Sequence, residues 1–124
     1  MQGRRFHNEA KSGGNSASPA MLAQNPCHAW AIVDATMVST LEIADPYYRD
    51  GDKVNRAKVE ELLANSPFIK KADTLEALAK EIEVNEPAFL DSVAKYNSAC
   101  EQGLVEETEF GKPLRPSETF DTPP

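Results

Sequence analysis

Two neighbouring stretches constrain the fold most: DTLEALAKEIEV at 73–84 and NEPAFLDSVAKYNSACEQG at 85–103. In the first, Leu75, Leu78, Ala79 and Ile82 recur at three- and four-residue spacing and so share one face of a helix. Asp73-Thr74-Leu75-Glu76 has the form of a capping box, with Asp73 accepting from orphan backbone amides and Glu76 reaching back to the cap. In the second stretch Asn85 is a capping residue, and Pro87 falls in the first turn, where a missing N–H is harmless. Phe89, Val93, Tyr96/Asn97 and Cys100 make an apolar stripe, and Gly103 stands where a left-handed residue closes a helix. Two consecutive amphipathic helices must bury these faces against each other or against a further layer.

The remaining chain supplies weaker signals. VNRAKVEELLA at 54–64 repeats apolar residues at helical spacing and is stopped by Asn65-Ser66-Pro67. Residues 28–34 hold Trp30, Ile32 and Val33 in a short bulky run that reads as a strand ending at Asp34. The segment after it reads as a short helix stopping near Asp45-Pro46, and Asp50-Gly51 is a strong turn signal. FIKKA at 68–72 is ambiguous, with a small edge strand as one reading. Residues 10–18 are Gly-, Ser- and Asn-rich and read as a flexible loop, after which Ser18 and Pro19 would start a short helix carrying Met21 and Leu22. Residues 105–124 are Pro-rich without helical period, an extended or disordered tail with Phe110, Leu114 and Phe120 as possible anchors. The pattern predicts an α+β fold: three or four helices on a small, mostly antiparallel sheet that includes 28–34.

Length and charge narrow the function classes. At 124 residues the chain fits one domain with a modest core. A net charge of −7, with the 13 basic residues spread along the chain, argues against nucleic acid or an anionic membrane as partner. No apolar run is long enough to span a bilayer. The two cysteines, Cys27 and Cys100, have no metal-binding or CxxC spacing, so no metal is expected, and the sequential pair Cys27-His28 is not a catalytic dyad. Gly13-Gly14 lacks the Lys-Ser/Thr of a phosphate-binding loop.

Three ordered blocks resemble one family. GRRFHNE at 3–9 is similar to the G-x-R-F-x-N-E segment of FAD-dependent fumarate reductase/succinate dehydrogenase-type flavoproteins. These include flavocytochrome fumarate reductases, urocanate reductases and ketosteroid dehydrogenases. ADTLEALAKEIEVNEPAFLDSVAKYNSACEQG at 72–103 resembles the family's A-D-T-L-E-E-L-A-K segment and the helix ending in Y-N that follows it. EFGKPLRP, from Glu109, resembles the family's F-G-K/R segment. The resemblance covers nearly the whole chain and implies that residues 1–124 are a capping domain, a piece of a larger bacterial flavoenzyme. Its partner would be the FAD-binding domain of the same parent chain, and Gly3–Glu9 would follow residues of that domain. The sequence has no G-x-G-x-x-G, so FAD is expected in the parent enzyme and not on this piece alone, which should be inactive by itself. An exposed apolar face is expected where the flavin domain would sit.

The implied reaction is reduction or oxidation of a C=C/C–C bond in a small unsaturated substrate by flavin hydride transfer. The resemblance makes Glu9 the catalytic residue, as a member of a proton relay, and puts Arg5, Asn8 and Lys11 around the substrate. A structural reading stands beside it, with Glu9 and Asn8 holding a turn through side chain to backbone bonds and Arg5 acting as a clamp. The chain departs from the fumarate reductases in one respect: no arginine lies between Arg5 and Arg49, where those enzymes place substrate-binding and proton-donating arginines. Lys11 or His28 could substitute, or the flavin domain could supply the acid, but a less anionic substrate than fumarate is the reading favoured. The alternative outside enzymology is a free-standing acidic interaction module using Tyr47-Tyr48 or the Pro-rich tail.

Overall fold

The heart of the molecule is a helical hairpin, seen in a computed structural model that describes residues 1–8, 14–104, 106, 109–114 and 120, with backbone alone at 14–16. In chain order the elements are α1 (Gly14–Leu22), α2 (Ala35–Ser39), a 3-10 turn (Pro46–Tyr48), β1 (Arg49–Asp50), β2 (Lys53–Val54), α3 (Arg56–Asn65), α4 (Leu75–Glu81) and α5 (Glu86–Glu101). The fold is a small α+β arrangement in which α3, α4 and α5 are the main helices and β1 and β2 form a two-stranded antiparallel sheet.

The core forms where the periodicity predicts. Leu78, Ala79 and Ile82 on α4 and its cap pack on Phe89 and Val93 of α5, and the buried stripe continues through Tyr96 and Cys100. Trp30, Ile32, Leu75, Leu90 and Phe120 close over this cluster from its edges. Each fully buried aliphatic or aromatic side chain contributes on the order of 1.5–3 kcal/mol, so the hairpin carries most of the apolar stabilisation visible in the molecule.

Capping defines the helix ends. Thr74, not Asp73, is the N-cap of α4: its Oγ1 accepts from Ala77 N at 3.1 Å, and its backbone is extended. The helix therefore starts one residue later than the capping box suggests. Asn85 caps α5 as expected, its Oδ1 accepting from Ala88 N at 3.0 Å. Both helices end in the same double closure. In α5 Gly103 N–H donates to Cys100 O and Leu104 N–H to Ala99 O; in α4 Glu83 N–H donates to Lys80 O and Val84 N–H to Ala79 O. The left-handed position is Gly103 (φ 66°) in one and Glu83 (φ 54°) in the other.

Several local expectations are corrected. Residues 28–34 form no strand; Trp30 and Ile32 pack on the helical core while Val33 is exposed. Their apolar run thus records packing on helices, not membership of a sheet. The sheet lies instead at 49–50 and 53–54, with Arg49 opposite Val54 and Asp50 opposite Lys53 around the turn at Gly51-Asp52. The helix after Asp34 stops at Ser39, well short of Asp45: it has no buried residue, and Thr40 and the residues after it gain nothing by continuing it. Asp34 itself is buried and caps that helix through Oδ1, 2.8 Å from Met37 N. Residues 68–72 form no strand, and Phe68 is exposed. The helix expected from Ser18 starts at Gly14 and holds Pro19 inside it, so 14–18 of the expected loop are helical. Residues 10–13, and most of 105–124, lie outside the described residues.

Two stability measurements check this account by urea unfolding. Phe89→Ala should cost about 3–5 kcal/mol, as a large-to-small change in a packed core, whereas Phe68→Ala should stay within about 0.5 kcal/mol. Glu83→Gly should raise stability by up to about 1 kcal/mol by relieving a left-handed non-glycine residue, and Gly103→Ala should lower it by a similar amount. Equal signs for the last two would refute the shared closure.

Candidate functional site

The first eight residues run along α5 and form no regular element. Asn85 N–H donates to Met1 O at 3.0 Å, fixing the start of the segment at the N-terminus of α5. Gly3 then passes so close to the helix that an added Cβ would sit 2.5 Å from Asn85 O and 3.1 Å from Phe89 N, and its φ is 70°. Only glycine fits both conditions. Ser92 Oγ, 2.8 Å from Ala88 O and 3.3 Å from Gly3 O, lies between the helix and the segment.

Further along, the three sequence blocks meet around one ring. Tyr96, buried on α5, has the Arg5 guanidinium 5.3 Å from its centroid, and the same guanidinium lies 5.3 Å from the Phe110 ring. Lys112 Nζ lies 4.8 Å from the Tyr96 centroid and hydrogen bonds to its hydroxyl. The Phe120 ring meets Tyr96 edge to face at 5.8 Å. Cations over aromatic faces contribute about 0.5–2 kcal/mol each, more as water is excluded. The Arg5 guanidinium also donates to His7 O at 3.4 Å.

Asn8 ties the first block to the last. Its side chain is buried and its Nδ2 donates to Phe110 O at 3.1 Å and Gly111 O at 2.9 Å. Asn97, next to Tyr96, grips the tail in the same manner: Phe120 N–H donates to Asn97 Oδ1 at 2.9 Å, and Asn97 Nδ2 donates to Phe120 O at 3.0 Å. A groove of about 420 Å³ lies beside this cluster, its wall including Arg5, Ser92, Lys95, Tyr96, Gln102 and Glu109.

Of the residues singled out in the sequence, Arg5 and Asn8 are thus brought together around the end of block one. Arg5 lies over two aromatic rings, and Asn8 bonds to backbone far along the chain. Glu9 and Lys11 lie outside the described residues. His28 is exposed. Among the described residues no group of three or more His, Cys, Asp or Glu side chains could hold a metal ion. Sequence reasoning put Tyr96/Asn97 on the helix stripe and Phe110 among the tail anchors, but it did not join them with Lys112 into one cluster. Each stood in a recognised block, but nothing in a linear sequence pairs a helix residue with a tail more than ten positions on.

The clasp has a measurable consequence. Asn8→Ala leaves two carbonyls without their donor and should cost about 1–3 kcal/mol in urea unfolding. Asn8→Asp should cost more at neutral pH, because a carboxylate would face those same carbonyls. A neutral result for both would remove Asn8 from the clasp.

No family model matches the chain, and no solved structure matches it. Over 69 residues it is 36% identical to the vinyl phenol reductase of Lactiplantibacillus plantarum, a match covering 53% of this chain and 14% of that protein. The chain is therefore similar, over part of its length, to a small part of a much longer reductase.

Proposed function

We propose that this chain is the substrate-capping part of a flavin-dependent reductase of carbon–carbon double bonds, acting on a substrate less anionic than fumarate. One observation carries the reading: three blocks that resemble successive segments of a flavoprotein capping domain, widely spaced in the sequence, converge on Tyr96 through Arg5, Asn8, Phe110 and Lys112. The partial similarity to a vinyl phenol reductase supports it from a separate direction, because that relative's name describes a phenolic alkene, not a dicarboxylate.

The residues of this chain do not fit FAD by themselves. The sequence has no Gly-rich dinucleotide fingerprint, so the cofactor would be held by polypeptide of the same parent outside these residues. The contribution of this chain is to cover the site. A capping element excludes water and fixes polar groups around the substrate. Glu9 remains the proposed proton-relay carboxylate, with Lys11 near the substrate. Arg5 and Asn8 act one step back, holding the segment that leads to Glu9. Leu22 and Phe68, 67% and 84% exposed, are apolar side chains that a covering domain would bury.

The engagement of Arg5 and Arg49 supports a weakly anionic substrate. The Arg5 guanidinium lies over the Tyr96 and Phe110 rings, 5.3 Å from each centroid, and Arg49, in the hairpin, donates to Asp52 O at 2.6 Å. A dicarboxylate needs two fixed cations or their equivalent.

Reoxidation of the reduced flavin in the complete, flavin-loaded polypeptide tests the proposal. A vinyl phenol should reoxidise it faster than fumarate. Fumarate as the better acceptor would overturn the substrate assignment, and failure of every alkene to react would overturn the reductase assignment. The isolated 124-residue chain mixed with FAD should give no bound, coloured cofactor; a stoichiometric complex would refute its role as a cap without its own flavin site.

A further inference from the structure

We draw no further inference here: the strongest candidate, the groove of about 420 Å³ between the first eight residues and the outer face of α5, belongs to the site already described, with Arg5, Lys95 and Tyr96 on its wall engaged by Phe110, Asp91 and Lys112.

Discussion

Packing of the Phe89–Val93–Tyr96–Cys100 stripe of α5 over α4 is the contact on which the other parts depend. Neither helix would persist alone. α4 has 7 residues, about two turns, and α5 has 16, near the length at which isolated helices are marginal in water. Joined, they bury one another and create a rigid surface. Both chain arms then use that surface: the first eight residues along the flank from Asn85 to Tyr96, and Phe120 at Tyr96 and Asn97. Tyr96 can serve core and arms together because its ring is apolar while its hydroxyl reaches a polar partner. Loosening the helical hairpin therefore loosens both arms, whereas loosening an arm leaves the hairpin its own core.

How much of this was legible in the sequence follows from the range of the interactions. The α4–α5 hairpin was readable almost to the residue, because periodicity and caps are local: Asn85, Pro87, Gly103 and the buried stripe all stand where the pattern puts them. α3 was readable for the same reason, and Asn55 caps it with Oδ1 3.1 Å from Lys58 N. The strand at 28–34 was misread because bulky apolar residues mark burial without saying what buries them. Trp30 and Ile32 are half-buried against helices, which satisfies their apolar surface without a sheet. The true hairpin at 49–54 is too short to show alternation, and only its turn was visible.

The candidate site divides along the same line. Its blocks could be recognised one at a time, yet the clasp consists of bonds spanning most of the chain: Asn8 to Phe110 and Gly111, and Arg5 to Tyr96. Asn8 illustrates the difficulty. An asparagine beside a glutamate after a basic pair reads locally as a turn former. Its burial and its distant acceptors show it holding two segments together, which is a long-range property that its neighbours in sequence do not encode.

The distribution of positive charge bears on what such a surface can recognise. Several of the described cations are turned toward the protein's own groups, whereas Arg4, Lys53, Arg56 and Lys71 are exposed. Arg5 and Lys112 lie on Tyr96, Lys58 on Tyr47, and Lys70, Lys80 and Lys95 reach Glu81, Glu86 and Asp91. The last three pairs are solvent-exposed and contribute little to stability, but Arg5 and Lys112 are half-buried against a ring and cannot swing to a ligand without giving up those contacts. At these two positions positive charge fastens the arms to α5. In a chain with net charge −7, an approaching dianion would meet a repulsive field, and Arg5 and Lys112, engaged on Tyr96, would offer it little compensation. That repulsion scales with the charge of the approaching molecule, so it is weaker for a monoanion than for a dianion and absent for an uncharged molecule.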